Sequence, residues 1–385
     1  MGQIYLDYNS TTPVDPQVLE KMIPFFNKHH GNASSVTHEI GKEAKKSFQN
    51  AKSIIARGLN CTPDEIIITS GATESLNLAI KGLVYSSGSS NKHILTLKTE
   101  HKAVIDTCDY VQRMGVAVDY LDVDKEGFVD LNQLKAAINE NTILVAILHG
   151  NNEIGTINPI EKIGSICQDK NVPLLVDAAQ TFGKLPIDVR SSSIAMLAGS
   201  AHKIYGPKGV GFLYKHRSVR IEPLIHGGGH EMGLRSGTIN VPGVIGLAEA
   251  FKLIHDKRED ETKRINRITD QFIGYLNDSG IDFTINGPRE NRLVGNLNIS
   301  IKNTDADWLT TMLPNVAIAR GSACTSETLQ PSHVLRAIGI SDDDANSAIR
   351  ISFGRFTTED EVADAAKAIA EKSKEYIAKR ESLAI

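Results

Sequence analysis

The sequence predicts an α/β fold in which a mainly parallel sheet lies between helices, followed by a smaller α+β domain. In the first half of the chain, short apolar runs alternate with helical patterns, which is typical of α/β proteins. The runs "ILVAIL" and "PLLV" are apolar without alternation, as expected for strands that helices cover on both faces. Because ligands collect at the carboxyl ends of such strands, we expect a binding site at that edge.

Each predicted element follows from a local pattern. We predict strands in "EIIITS", "KHILTL" and "TILVAILH", followed by the helices "ATESLNLAIKGL", "HKAVIDTCDYVQRM" and "IEKIGSICQDK", and a fourth strand in "VPLLVD" before a polar turn. From Val241 to about Asp278 the apolar residues keep helical spacing around the charged "HDKREDETKR", which predicts a pair of long helices.

The remaining sequence predicts the second domain. The runs "NLNISI", "NVAIAR" and "AIRISF" and a charged helix from Thr358 indicate a small α+β domain. We therefore predict a large domain over residues 13–255 and a small domain over residues 256–385 that also includes residues 1–12.

Composition limits the partners. The chain has 385 residues and a formal net charge of -4, so it offers no basic surface for nucleic acid or membrane lipid. The start "MGQIYLDYNS" lacks the pattern of a signal peptide, and no apolar run approaches the roughly 18 residues that span a bilayer. We expect a cytoplasmic protein that binds small molecules and proteins, without membrane or direct nucleic-acid binding.

Neither the cysteines nor the histidines predict a metal site. The four cysteines, Cys61, Cys108, Cys167 and Cys324, are far apart and form no C-x-x-C pair, so we expect free thiols. His226 and His230 in "HGGGH" have the i, i+4 spacing of a helical metal pair. Their three intervening glycines would destabilise a helix by about 3 kcal/mol, so we predict a loop and no metal.

The stretch "TSGATES" joins a predicted strand to a predicted helix. Free backbone N–H groups at the start of that helix suit a phosphate group. An ordinary capping box, with Ser70 and Thr73 as caps and Glu74 in the first turn, explains the same residues. The motif alone therefore does not predict a ligand.

Asp177 ends the apolar strand in "VPLLVDAAQ". A buried carboxylate at this place requires a cationic partner, although Asp177 also fits a cap or turn residue. Gln180 offers a donor and an acceptor on the same side of the turn. The pair is a candidate for contact with a positively charged ligand group.

Lys203 follows an apolar run in "LAGSAHKIYGPKG". Most lysines are solvated charges, but a lysine can also form a Schiff base with a carbonyl cofactor. Cys324 lies in "IARGSACTSETLQPSH" among small and hydroxylated residues, which predicts an exposed, flexible loop rather than a buried cysteine.

Ten motifs in the same order along the chain resemble the pyridoxal-phosphate cysteine desulfurases of the NifS/IscS type, a branch of the class V, fold-type I aminotransferase-like enzymes. They are "YLDYNSTTPVDPQV", "GNASSVTHEIG", "TSGATESLNLAIKG", "TEHKAV", "NNEIGTI", "VDAAQTFGK", "SAHKIYGPKGVGFLY", "RSGT", "RGSACTSETLQPSHVLRAIG" and "RISFGRFTTE". The resemblance covers nearly the whole chain, and "RGSACTS" resembles the longer catalytic loop of the family's first group.

The resemblance implies how pyridoxal phosphate is bound. Lys203 would hold it covalently, Asp177 would pair with the ring nitrogen, and Gln180 would contact the phenolic oxygen. His101, otherwise read as a surface residue, would stack on the ring and move protons. Asn152 would lie near the ring oxygen and the substrate.

The resemblance also implies a phosphate site and a homodimer. Ala72, Thr73, Ser200 and His202 would hold the phosphate, together with Thr238 of a second subunit. Two departures are Ala33, where the family commonly has proline, and the end "KRESLAI", which lacks the longer tail of some relatives. The second departure puts in doubt the docking of an iron–sulfur scaffold on such a tail.

The implied activity is conversion of L-cysteine to L-alanine. Cys324 would take the sulfur as a persulfide and pass it to an acceptor protein, in iron–sulfur cluster assembly, tRNA thiolation or DNA sulfur modification. Arg350, alternatively a solvent-facing arginine, would bind the substrate carboxylate. The alternatives are a selenocysteine lyase or an aminotransferase and, from another class, a non-catalytic binding protein. A dinucleotide-binding dehydrogenase is disfavoured because no G-x-G-x-x-G follows an early strand.

Overall fold

A computed structural model of the chain describes residues 2–320 and 331–383. The first half alternates strands and helices as predicted. Its elements are β1 (Ile4–Tyr5), α1 (Pro16–Met22), α2 (Pro24–Asn27), α3 (Glu39–Gly58), β2 (Ile66–Thr69), α4 (Ala72–Ser86), β3 (His93–Leu97), α5 (Lys102–Gln112), β4 (Ala117–Leu121), α6 (Leu131–Ala137), β5 (Thr142–Leu148), α7 (Ile160–Asp169), β6 (Leu174–Asp177), β7 (Met196–Ser200) and β8 (Gly211–Lys215).

The second half begins with a long helix and continues with shorter elements. They are α8 (Val241–Ser279), β9 (Phe283–Ile285), β10 (Asn296–Ile301), α9 (Ala306–Met312), β11 (Val316–Ala317), β12 (Ala319–Arg320), α10 (His333–Ala337), α11 (Asp342–Asn346), β13 (Ala348–Ser352) and α12 (Glu359–Leu383). Residues 226–230 form a loop, as predicted. Within the described ranges, no helix combines the length and the apolar character needed to cross a membrane.

The large sheet has seven strands in the order β2-β8-β7-β6-β5-β3-β4. All pairs are parallel except those of β8, which runs antiparallel to β2 and β7. Every residue of β3, β6 and β7 is buried, because helices cover both faces. Leu148, Asp177 and Ala198 are successive partners across β5, β6 and β7, so these strands end side by side and create the predicted edge.

The predicted pair of long helices is wrong, because α8 is one continuous helix of 39 residues. Its first half packs into the large hydrophobic cluster through residues such as Leu247 and Phe251, and its second half packs into another cluster through Ile268 and Phe272. The charged stretch between them is not a break. It crosses the junction of the two clusters, where Glu261 forms an ion pair with Arg355 at 2.6 Å.

The C-terminal part contains a four-stranded antiparallel sheet in the order β12-β13-β10-β9. The short strand β1 pairs in parallel with β11, and Ile4 and Leu6 are buried in the same cluster as α12. The division into domains at residues 255 and 256 falls inside α8 and stays a prediction.

Candidate active site

A cavity of about 470 Å³ lies where β6, β7, the start of α4 and β13 meet. The structure brings ten of the residues singled out from the sequence together around it. They are Ala72, Thr73, His101, Asn152, Asp177, Gln180, Ser200, His202, Lys203 and Arg350.

Lys203 reaches the cavity because β7 ends at Ser200 and a single 3-10 turn follows, from Ala201 to Lys203. The side chain is half-buried, and its Nζ donates to the carbonyl oxygens of Asn9 at 2.6 Å and Ser10 at 2.7 Å. Lys203 is therefore not a solvated surface lysine. Two carbonyl acceptors orient its amine within the cavity.

Asp177 is the last residue of β6, and only 3% of its surface is exposed. Its Oδ1 accepts a hydrogen bond from Ala179 N at 2.9 Å, so the turn function considered from the sequence is present as well. Burial raises the pKa of Asp177, and the charges of His101 and Lys203 partly oppose that rise. A cation placed in the cavity would stabilise its carboxylate.

His101 caps helix α5. Its Nδ1 accepts from Ala103 N at 3.1 Å, so in the neutral ring the proton is on Nε2. The ring is half-buried and lines the cavity, which excludes the surface alternative. The cap thus fixes one tautomer in a position to exchange a proton with a bound molecule.

The capping box considered for "TSGATES" is wrong. Gly71, with φ of 153°, is the N-cap of α4 and makes no side-chain capping hydrogen bond. Glu74 instead accepts from Ser70 N at 2.7 Å and forms an ion pair with Arg235 at 2.8 Å. The start of α4, whose N-cap residue provides no side-chain capping hydrogen bond, lines the cavity with Ala72 and Thr73.

His202 also lines the cavity. Burial lowers its pKa to about 4, and the positive charges of Lys203, Lys208 and Lys184 add to this effect. Its Nδ1 lies 3.1 Å from Thr11 Oγ1. His202 is therefore neutral at physiological pH and contributes a hydrogen bond rather than a charge.

Arg350, in the middle of β13, is only 1% exposed, so the solvent-facing alternative is wrong. Its Nη2 donates to Asp7 Oδ1 at 2.8 Å and to Ser10 Oγ at 2.7 Å. Its Nη1 donates to Asn152 O at 3.3 Å. A buried guanidinium with three partners on two separate segments is held in one orientation.

Residues 7–12, which we call the N-terminal strap, are the main part of the site that sequence reasoning missed. Asn9 O accepts from both Lys203 Nζ and Gln180 Nε2, the latter at 2.8 Å, and Asn9 Nδ2 donates to Asn152 O at 3.2 Å. Thr12 Oγ1 donates to His202 O at 3.0 Å. The available signal was a run of four amide and hydroxyl residues, Asn9 to Thr12, between Tyr8 and Pro13.

Two buried carboxyl groups beside the site were also missed. Glu100, immediately before His101, accepts from Leu148 N at 2.6 Å, and burial raises its pKa well above the usual range. Burial raises the pKa of Glu153 to about 7, although Ser332 and Arg350 favour its ionised form. Neither carboxyl oxygen of Glu153 makes a hydrogen bond of good geometry within the described residues.

Of the two remaining predicted residues, only Thr238 can be located relative to the cavity. Thr238 is exposed and is absent from the cavity lining. Cys324, with its predicted flexible loop, lies outside the described residues. The other cysteines are free thiols in a turn (Cys61), in α5 (Cys108) and in α7 (Cys167), and burial raises the pKa of each to about 12.

Comparison with known proteins identifies the family of the chain. The aminotransferase class-V family matches residues 4–364. Cysteine desulfurase IscS of Methylobacillus flagellatus is 47% identical over 362 residues, which is 93% of this chain and 89% of that protein.

Solved structures extend the agreement to the fold. A NifS-like protein superposes with a TM-score of 0.90 at 37% identity, covering 96% of this chain and 99% of the other. SspA in complex with cysteine gives a TM-score of 0.82 at 37% identity, covering 92% and 99%. The predicted α/β fold is thereby confirmed, and the chain belongs to the aminotransferase class-V family and, within it, to the cysteine desulfurases of the NifS/IscS type.

Proposed function

We propose that this chain converts L-cysteine to L-alanine with pyridoxal phosphate on Lys203, and that Cys324 takes the sulfur as a persulfide for an acceptor protein. One observation carries the proposal. A single cavity holds an amine, a buried carboxylate and a buried guanidinium, on Lys203, Asp177 and Arg350. These are the groups needed to bind an aldehyde, a protonated ring nitrogen and an amino-acid carboxylate.

The residues fit the cofactor. Burial raises the pKa of Asp177, and a protonated pyridine nitrogen beside it would add to the charges of His101 and Lys203 that favour its ionised form. The uncapped first turn of α4, together with Ser200 and His202, offers donors to a phosphate. Gln180, buried against Asn9, lines the cavity beside Asp177 and is assigned to the phenolic oxygen.

When bound, pyridoxal phosphate supplies an electron sink for negative charge at the substrate Cα. Asp177 would pair with the protonated ring nitrogen of the bound cofactor. The amine of Lys203 would hold the cofactor and take the Cα proton of the substrate. His101 exchanges protons at Nε2, because Nδ1 is used by the helix cap. Arg350 and Asn152 orient the substrate through its carboxylate.

The sulfur step needs a thiolate. Cys324 Sγ attacks the substrate sulfur, a new S–S bond forms, and the C–S bond breaks with its electron pair left on carbon, which takes up a proton to give alanine. The raised pKa values of Cys61, Cys108 and Cys167 make those thiols poor nucleophiles at neutral pH and support the assignment to Cys324. Such chemistry fits a reducing compartment, such as the cytoplasm.

We further propose a homodimer in which Thr238 completes the phosphate site of the second subunit. Thr238 is exposed and lies outside its own cavity. Its loop is held in place because Arg235 pairs with Glu74 at the start of α4. Exposed apolar side chains on the N-terminal helices and the same loop, Ile23, Phe26 and Met232 among them, support a buried interface. Light scattering tests this, since a fully active monomer would contradict it.

The decisive experiment is Cys324→Ser with Cys167→Ser as the matched control. We expect Cys324→Ser to bind pyridoxal phosphate and cysteine and to form no alanine, whereas Cys167→Ser retains turnover. After reaction of the parent enzyme with one equivalent of L-cysteine, mass spectrometry should place the added sulfur on Cys324 alone. Alanine and sulfide production by Cys324→Ser at the parent rate would show that the thiol is not the acceptor. Transfer of the amine to the cofactor would indicate a transaminase instead.

A further inference from the structure

The hydrogen bonds of Arg350 raise a question about how a substrate reaches it. A guanidinium has five N–H bonds in one plane, one on Nε and two on each Nη. In Arg350 both hydrogens of Nη2 are engaged, one by Asp7 Oδ1 at 2.8 Å and one by Ser10 Oγ at 2.7 Å. One Nη1 hydrogen goes to Asn152 O at 3.3 Å, and Nε has no partner among the described residues.

A carboxylate can bind a guanidinium with two parallel hydrogen bonds along only two edges. One edge consists of Nε–H and an Nη2 hydrogen, and the other consists of one hydrogen from each Nη. Both edges include Nη2. Two-pronged binding of a substrate carboxylate to Arg350 therefore requires Asp7 or Ser10 to release Nη2.

Charge decides which group leaves. If Asp7 stayed, two carboxylates would share one guanidinium in a site where Arg350 is 1% exposed, and their repulsion would be poorly screened. If Asp7 leaves as the substrate enters, one carboxylate replaces another and the net buried charge is unchanged. The Asp7 side chain is 18% exposed, so it has access to solvent that Arg350 lacks.

We propose that Asp7 is a positioning residue that acts through Arg350: it holds Nη2 of Arg350 before substrate binds and is exchanged for the substrate carboxylate on binding. This inference rests on the proposed role of Arg350. It deepens that role, because two carboxylates then compete for the same N–H groups. The affinity for an amino acid depends on how much more strongly Arg350 binds the substrate carboxylate than it binds Asp7. Asp7 thereby weakens binding of the carboxylate that Arg350 recognises.

The test measures binding rather than turnover. Dissociation constants of the holoenzyme are measured by calorimetry for L-alanine and for L-alaninamide, which has the same skeleton and a neutral amide. Asp7→Asn keeps the shape and removes the competing charge. We expect the L-alanine constant to fall about ten-fold, the size of one charge-assisted hydrogen bond, and the L-alaninamide constant to stay within about two-fold. Asp282→Asn, in the exposed ion pair with Lys302, is the matched control and should change neither.

Each other outcome has one meaning. An unchanged or raised L-alanine constant in Asp7→Asn would show that Asp7 only orients Arg350, and the proposal would be wrong. Tighter binding in Ser10→Ala but not in Asp7→Asn would identify the hydroxyl as the group that leaves. If Arg350→Lys leaves the L-alanine constant unaltered, the carboxylate site itself is elsewhere, and the proposed function fails at that residue independently of Asp7.

Discussion

The two walls of the cavity are built in different ways. The sheet wall consists of side chains at strand ends, and Asp177 and Lys203 are placed there by the register of β6 and β7 and the single turn that follows. The strap wall, residues 7–12, contributes mostly backbone carbonyls and hydroxyl groups, such as Asn9 O and Thr12 Oγ1. In the proposed function the sheet wall supplies the groups that react, and the strap wall holds those groups in position through hydrogen bonds.

This comparison predicts that the largest effect follows loss of an amine from the sheet wall. Lys203→Ala should abolish covalent attachment of pyridoxal phosphate and lower turnover by at least about a thousand-fold. In the proposed function this side chain both binds the cofactor and moves the Cα proton of the substrate. Absorbance of the purified protein and alanine production measure the two effects. Lys208→Ala, an exposed lysine that lines the same cavity, is the control. Normal turnover in Lys203→Ala would show that the sheet wall does not supply the reacting amine, contrary to the comparison of the two walls.

Asp177→Asn should have the next largest effect. The amide keeps the hydrogen bond from Ala179 N but cannot stabilise a protonated ring, so we expect turnover to fall by about a hundred-fold or more while the protein stays folded. Stopped-flow measurement of Cα proton abstraction with L-cysteine tests this. A rate equal to that of the parent enzyme would show that Asp177 only accepts the hydrogen bond of its turn and does not stabilise the ring.

Glu153, near Arg350, should make the stability of the folded protein depend on pH. Its pKa is raised to about 7, so the folded state binds this proton more tightly than the unfolded chain does. The stability it provides is complete below the normal glutamate pKa and is lost as the pH rises through about 7. At pH 8.5, Glu153→Gln should therefore be more stable than the parent by up to about 3 kcal/mol, and near pH 5 the difference should be small. Urea unfolding measures both values.

The control for this experiment is Glu161→Gln, an exposed glutamate at the start of α7. Its stability relative to the parent should not vary with pH in the same way. A stability difference for Glu153→Gln that is the same at both pH values would show that the carboxyl does not change its protonation state in this range.

The smallest expected effect tests whether the strap wall positions the sheet wall. Thr12 Oγ1 donates to His202 O and accepts from Tyr205 N at 2.8 Å, and Tyr205 has a φ of 66° directly after Lys203 and Ile204. Thr12→Val removes both bonds and should destabilise the fold by about 1–3 kcal/mol. Thr12→Ser keeps the hydroxyl and should recover most of that loss. Equal stability of the two variants would mean that the hydroxyl does not hold this turn.

The placement of Asp177 and Lys203 could be predicted from local sequence, because each follows an apolar run and strand ends of a parallel sheet meet at one edge. Their roles came only from the resemblance of the motifs to the cysteine desulfurases, because the local pattern also fits a turn residue and a solvated lysine. The strap wall could not be predicted, because a backbone carbonyl leaves no trace in residue identity and Asn9 is 194 residues from Lys203 along the chain. Arg350 shows the same limit, since its burial depends on Asp7 and Asn152 from distant segments.

The error at α8 has a different physical cause. A charged run inside an apolar periodicity usually marks exposed chain, and here it marks the place where a helix passes from one hydrophobic cluster to another. Arg264 donates to the carbonyl oxygens of Gly354, Arg355 and Thr357, so the charges bind other segments instead of ending the helix. Periodicity alone does not distinguish these two cases.

The continuity of α8 also determines how the molecule unfolds. At the α-helical rise its 39 residues extend about 58 Å, and the two hydrophobic clusters share this one rod. Melting the second half would expose Ile265, Ile268 and Phe272 to water. It would also remove the helical hydrogen bonds that continue from the first half into the second half. The two clusters therefore lose their structure together, and thermal denaturation should show one cooperative transition rather than two.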